Sequence, residues 1–353
     1  MLFRSDRVEH WRFGMGTVRE LPGGNRAVVD FDAAGRKTLD LELARLKFVL
    51  PELERERIEQ DAALQQETFA QEGVEKEHFP GSHWSALGVE VETVLRNLPD
   101  LLAQAHLLNP LGVVAKHVLS DIEPKGLSLI WPDERRGVVV PLAIGEEQHE
   151  VMGVFPWVGD GIQHEVFLQK VHVWSSGLEG QVSGMLGDMS VDFFDVGYAM
   201  CRGVYRTGRT YQFALAGLAY SCEVVKEPEP VFITAPEAVA ATRRAFGQDE
   251  NDTSPIRIET KGMAALVGIT KYDRDEYEFH GPVKEVASCE FLGQKLWRLR
   301  VTVLRSLEDD SERDLAVFVN ERHFAQGGPP TLGDDVRGVL WLHGLLMWEG
   351  GRP

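Results

Sequence analysis

The chain of 353 residues is long enough for two or three domains. Its apolar share of 43% and charged share of 26% are those of a folded protein and exclude wholesale disorder. With 37 Lys and Arg against 55 Asp and Glu, the formal charge of −18 repels phosphate backbones and excludes broad non-specific nucleic-acid binding.

No apolar run reaches the ~18–20 residues that span a bilayer. Residues 1–7 lack the apolar core of a signal peptide. Cys201, Cys222 and Cys289 are too few and too scattered for a disulfide frame or a zinc knuckle. A soluble, cytoplasmic, bacterial protein with no membrane partner is the expectation. The negative charge is unevenly spread. Residues 1–50 hold nine Lys and Arg against seven Asp and Glu, a net of +2, whereas residues 51–100 hold four against twelve, a net of −8. The first segment is therefore the one that suits an acidic partner.

Residues 4–49 read as short strands joined by tight turns. Arg7–His10 starts one strand, and Phe13-Gly14-Met15-Gly16-Thr17-Val18 continues through glycines that suit a bend. Pro22–Asn25 and Ala33–Gly35 are turns around the strand Ala27–Phe31, and Arg36–Leu39 returns. Leu41, Leu43 and Leu46 are spaced to close a core. Four or five strands in under fifty residues imply a small barrel, because closure removes exposed edges.

The run Asp6-Arg7-Val8, Phe13-Gly14-x-Gly16-Thr17-Val18, Val28-Val29-Asp30-Phe31 and Gly35-Arg36-Lys37-Thr38-Leu39 resembles the Tudor-like (SH3-like barrel) domain at the C-terminus of UvrD/PcrA-type helicases. It is also similar to the wider KOW/Tudor group of transcription-associated barrels. The resemblance covers about an eighth of the chain and implies a docking module, notably for RNA polymerase, rather than a catalytic unit. The helicase motor is absent, since no Gly-x-x-x-x-Gly-Lys-Ser/Thr phosphate loop occurs. Trp11, Arg12, Arg36 and Lys37 are the candidate partner-binding residues, with His10, also expected to be exposed, beside them, because a Trp next to an Arg suits an interface anchor. Trp11 and Phe13 could instead fill the barrel core, strand neighbours facing opposite ways. With Phe31 they give thin support for a methyl-lysine cage.

Residues 51–110 read as a helical connector. Pro51 opens an acidic helix running to about Gln71. A second helix is expected over Ala86–Leu108, kinked or split by Pro99. The acidic helix could meet a basic partner or simply be a solvated face.

From Gly112 the pattern turns to strands, with β-like runs at 127–131, 137–140, 151–155, 166–174, 180–182, 191–194 and 211–220. Lys226–Pro230 reads as a stiff linker, and a short helix is expected over 236–246. Strands resume at Ile256 and run through 296–304, 315–319 and 336–342. The expected architecture is mostly β with a helical connector: a small N-terminal SH3/Tudor-like barrel, then one or two OB-like units at 111–228 and 229–353. Two stretches look weakly alike: Gly180-Gln-Val182, Phe193-Phe194, Gly208 and Tyr211–Gly217, against Gly281-Pro-Val283, Val317-Phe318, Gly333 and Val336–Gly344. Their order suits five-stranded OB-like barrels. Phrases such as Gly333–Gly344 resemble an uncharacterised bacterial family, which implies no activity.

Catalytic signals are weak. There is no His-Glu-x-x-His, no Cys-x-x-Cys and no Gly-x-Ser-x-Gly, and His149, His164 and His172 could form a three-histidine strand site but read instead as scattered surface residues. Cys201 and Cys222 read as buried hydrophobes. Asp192 and Asp195, three apart on a strand, should face opposite ways, which argues against an acid–base pair. No cofactor and no metal are implied. Arg202, Tyr205, Arg206, Arg209 and Tyr211 form one basic-aromatic run, and Lys295, Trp297, Arg298 and Arg300 another. Either could line a groove for single strands, or be cationic stems covering strands. The sequence therefore points to a non-catalytic adaptor whose N-terminal barrel docks on RNA polymerase or a nucleic-acid complex. The alternatives are an acidic inhibitor of a basic enzyme or toxin, and a single-strand binder acting through OB-like barrels.

Overall fold

The computed structural model describes residues 7–10, 12–22, 26–40, 47–49, 81–108, 125–133, 135–146, 148–226, 230–245, 247–269, 274–306, 311–325 and 328–347. Trp11 and the acidic helix expected up to Gln71 lie outside them. The chain is mostly β, and no helix among these residues is long and apolar enough to cross a membrane.

In the N-terminal segment, alternation sets the inner face: Val8, Val18, Ala27, Val29 and Phe31 are buried. Their strands, β1 (Arg7–His10), β2 (Gly14–Glu20), β3 (Arg26–Phe31), β4 (Gly35–Asp40) and β5 (Lys47–Val49), form an antiparallel sheet ordered β4-β3-β2-β1-β5. β5 returns beside β1, so β1 is paired on both edges. Gly16 is required by packing, because a Cβ there would lie 2.7 Å from the Phe31 ring.

After a short α1 (Gly81–Ala86), the helix expected over 86–108 is replaced by two, α2 (Val91–Arg96) and α3 (Leu98–Gln104). Pro99 has no N–H to continue a helix from α2, and it sits instead in the first turn of α3. Trp84, Leu87, Val94 and Leu101 are buried. They share a core with a second sheet, β6 (His106–Leu107), β7 (Gly126–Pro132), β8 (Arg136–Ile144), β9 (His149–Val151) and β10 (Phe155–Val158), ordered β10-β8-β7-β6 with β9 on β8.

The largest sheet has nine strands. In chain order come β11 (Ile162–Val173), β12 (Gly180–Leu186), β13 (Met189–Asp195), α4 (Tyr198–Cys201) and β14 (Thr210–Val224). An insertion follows, with β15 (Val231–Ile233), α5 (Pro236–Ala245) and β16 (Ile256–Ile258). Then come β17 (Ala265–Gly268), β18 (Glu276–Phe291), β19 (Gln294–Arg305), β20 (Glu312–Asn320) and β21 (Asp335–Leu346). The pairings close two five-strand rings. One runs β11-β12-β13-β21-β14 and back to β11; the other runs β14-β20-β19-β18-β21 and back to β14. Both rings contain β14 and β21. The expected division at residues 228 and 229 therefore does not separate two self-contained units: each half takes one ring strand from the other.

The halves are equivalent in register. β14 pairs with β11 over Thr210–Leu215, and β21 pairs with β18 over Asp335–Trp341. The parallel contacts, β13 with β21 and β14 with β20, complete the two rings. The cross-strand row His172–Gln181–Phe194 stands where Ala287–Arg298–Phe318 stands in the other half. Lys170–Ser183–Asp192 likewise matches Glu285–Arg300–Ala316. Of the stretches that look alike in sequence, Phe193-Phe194 and Val317-Phe318 occupy equivalent strands, as do those starting at Tyr211 and Val336. Gly180 and Gly281 do not, since Gly180 opens a second strand and Gly281 lies within a first.

Side chains alternate between two cores. Phe193, Leu215, Val317 and Leu340 share the core that fills the rings, while Phe194, Ala216, Phe318 and Trp341 join Trp84 and Phe155 in the core between the rings and the second sheet. Gly338 sits where β21 crosses β14, and a Cβ there would lie 1.9 Å from the Ser221 carbonyl oxygen. Backbone cannot yield as a side-chain end can. Gly338→Ala should therefore lower the unfolding free energy by about 2 kcal/mol, read as a shifted urea midpoint; an unchanged midpoint would show that the two strands can part there at no cost.

Candidate interaction surface

Arg12, Arg19, Arg26, Arg36 and Lys37 of the N-terminal module are all exposed. Every side chain of β4 except the half-buried Leu39 is exposed, Arg36 and Lys37 included. Arg12 is also exposed, with its guanidinium 5.9 Å from the centre of the Phe13 ring. Among the described residues none of these three cations has an ion-pair partner, whereas Arg19 pairs with Asp30 at 3.6 Å. His10, which the sequence suggests is exposed, is buried: it stacks on Phe13 at 4.6 Å, and its Nδ1 accepts from the backbone N–H of Arg12 at 3.1 Å. Burial, and then Arg12, hold its pKa below the usual imidazole value. Phe13 is half-buried and packs 5.4 Å from Phe31. His10 and Phe13 thus shape the turn that projects Arg12.

The run 202–211 is built differently from a stacking groove. Tyr205 and Tyr211 are buried, and so is Arg206. The Tyr205 hydroxyl donates to the Asp195 carboxylate. Tyr211 donates to the Val204 carbonyl at 2.9 Å and accepts from the Arg206 N–H at 2.7 Å. The Arg206 guanidinium donates to the carbonyls of Gly203 and Tyr205. Arg202 caps the Ala199 carbonyl, and the Arg209 backbone carbonyl accepts from Leu168. These groups fasten the connection between β13 and β14, and the two tyrosine rings have no free face for a base.

The second run lies on β19. Trp297 is half-buried, with Lys295 Nζ 4.8 Å from its ring centre. Arg298 pairs with Glu285 at 3.2 Å, and Arg300 with Asp314 at 2.7 Å. Lys284 also reaches Asp314, at 2.8 Å, and Arg305 reaches Glu312 at 3.0 Å. The charges on this face are therefore met by acids from β18 and β20.

A polar chain not apparent in the sequence joins the two halves of the rings. Ser183 donates to Asp192, and its Oγ lies 3.1 Å from His172 Nε2. Arg274 approaches the same nitrogen at 3.3 Å, and the Tyr277 hydroxyl bridges the backbone N–H and carbonyl of Asp192. β13 has no strand partner on that edge at Asp192, and Tyr277 supplies the missing hydrogen bonds. His172, Ser183 and Asp192 lie on three successive strands, and Arg274 and Tyr277 come from the start of the second half, so no local motif signals the set. Burial, with Arg274 and Lys170, pushes His172 down to about 4. Asp192 and Asp195 belong to separate networks, as their spacing implies. Among the described residues no three His, Cys, Asp or Glu side chains converge as a metal site.

Comparison with protein-family models, curated proteins and solved structures finds no match.

Asp195 gives a measurable pH dependence. Burial raises its carboxyl to about 7, against hydrogen bonds from Tyr205 and Gly197. Its unfolded value lies near 4, so the folded state binds the extra proton between these limits. The stability tied to that proton is complete below pH ~4 and is lost as pH rises through ~7. Asp195→Asn removes this term. Relative to the parent, the variant should gain up to about 4 kcal/mol between pH 4 and pH 8, measured by urea unfolding at both. A constant difference between parent and variant would mean that the carboxyl is ionised in the folded protein throughout.

Proposed function

We propose that the protein is a non-catalytic adaptor of the bacterial cytoplasm, docking through its N-terminal module on a large nucleic-acid machine, with RNA polymerase the first candidate. The observation that carries this reading is the contrast between two sets of cations. Arg298, Arg300 and Lys284 on the rings are neutralised by their own neighbours, while Arg12, Arg36 and Lys37 are exposed and unpaired among the described residues. An unneutralised basic edge on a chain of charge −18 suits an acidic protein surface. The strand order β4-β3-β2-β1-β5, with the last strand beside the first, supports the SH3/Tudor-like reading of this module. The two rings, each with one parallel contact, β13 with β21 and β14 with β20, support an OB-like reading of the remainder. Their basic-aromatic runs favour a scaffold over a single-strand groove, since Tyr205 and Tyr211 are buried.

The test uses full-length protein and purified bacterial RNA polymerase. Arg36→Glu with Lys37→Glu should weaken capture about thirtyfold, the equivalent of ~2 kcal/mol. The thermal melt should stay nearly unchanged, because exposed charges contribute little to stability. Capture unaffected by the double variant would move the interface elsewhere on the chain. No capture by the parent protein would remove polymerase as the partner.

A further inference from the structure

Each half of the double ring lacks a strand of its own. The first half supplies β11, β12, β13 and β14 and borrows β21; the second supplies β18, β19, β20 and β21 and borrows β14. The exchange is reciprocal, as in a two-fold dimer whose subunits trade an identical element. Its centre lies near the Gly217–Leu342 pair of the β14–β21 ladder. The borrowed strand is shaped for its host. A Cβ at Gly344 would lie 2.6 Å from the Phe193 ring and 2.9 Å from the Leu215 side chain, both in the other half. At the equivalent place in the second ring stands Ala219, another small residue, fully buried. The covalent link between the halves runs through the insertion after β14, in which Gly247–Pro255 are all exposed.

We propose that the double ring is a tethered, strand-exchanged pair, and that the surface each half presents to its mate accepts the corresponding half of a second copy of this chain. The tether holds the mate at an effective concentration of about a millimolar, which keeps pairing within one molecule. Once it is cut, pairing depends on the strands alone, and halves from different copies become interchangeable.

The experiment starts from the full chain with a protease recognition sequence inserted between Asn251 and Asp252, both exposed. After cleavage of the folded protein, the two fragments should co-elute one-to-one on native size-exclusion chromatography. A tagged and an untagged cleaved preparation are then mixed, unfolded in urea and refolded together. The tagged N-terminal fragment should retain untagged C-terminal fragments in proportion to their share of the mixture. Each fragment refolded by itself should show no cooperative melt. Fragments that separate after cleavage, exclusive recovery of tagged with tagged, or a cooperative melt of either fragment alone would each overturn the proposal. Gly344→Leu in the C-terminal fragment adds a control inside the exchanged strand. It should reduce recapture, because the side chain would occupy the space of Phe193.

Discussion

The antiparallel pairing of β14 with β21 is the constraint on which the rest depends. The ladder runs from Phe213 opposite Leu346 to Val224 opposite Val336. Each strand gives its other edge to one ring along its first part and to the second ring along its later part. Both edges are filled, and both faces are covered, one by the ring interiors and the other by the helices and the second sheet. This is why Phe213–Ala219 form an unbroken buried run instead of alternating. Polar groups in such a place need partners. Trp341 donates its indole N–H to Asp275 at 2.9 Å and stacks between His83 and His343. His343, fully buried, accepts from the Val158 N–H at 3.0 Å and so ties β21 to β10. Burial drives its pKa down to about 4.

Buried ionisable groups of opposite response offset one another around this spine. Glu179 and Asp195 are raised to about 7 by burial, so their contribution favours folding more as pH falls from ~7 towards ~4. His172 and His343, lowered to about 4, act with the opposite sign over nearly the same window, because the unfolded imidazoles take up protons near 6.5 while the folded ones do not. Changing one member should therefore expose a dependence that the native set largely cancels.

The sequence makes the class of fold readable because strands leave local marks. Most of the β-like runs fall on observed strands, and Pro99 marks the place where a helix must restart. Equivalence of the two halves is also partly readable, through Phe193-Phe194 and Val317-Phe318. What a single sequence hides is who completes a ring. β14 and β21 lie more than a hundred residues apart, and nothing local distinguishes a strand that closes its own ring from one lent to its neighbour. The basic-aromatic runs mislead for a related reason. Arg300 looks like a free cation until Asp314 arrives from β20, and Tyr205 looks like a stacking surface until the chain turn carries it inward onto Asp195. His10 is misjudged likewise, because its role is to accept backbone N–H groups of the turn that follows it.

The same closure narrows where recognition can occur. A ring strand with both edges paired cannot accept a further strand, and the cations Lys284, Arg298, Arg300 and Arg305 are already met by acids of β18 and β20. Among the described strands, the open ends of sheets include β17, beside β18 alone, and, in the N-terminal sheet, β4 beside β3 alone and β5 beside β1 alone. β17 carries the exposed Val267 but no cation over Ala265–Gly268. β4 carries Arg36 and Lys37, both exposed, at one end of the N-terminal sheet. A binding partner selected by charge therefore has reason to choose the N-terminal module. On the proposed reading, the rings joined by the β14–β21 ladder are the body that carries it.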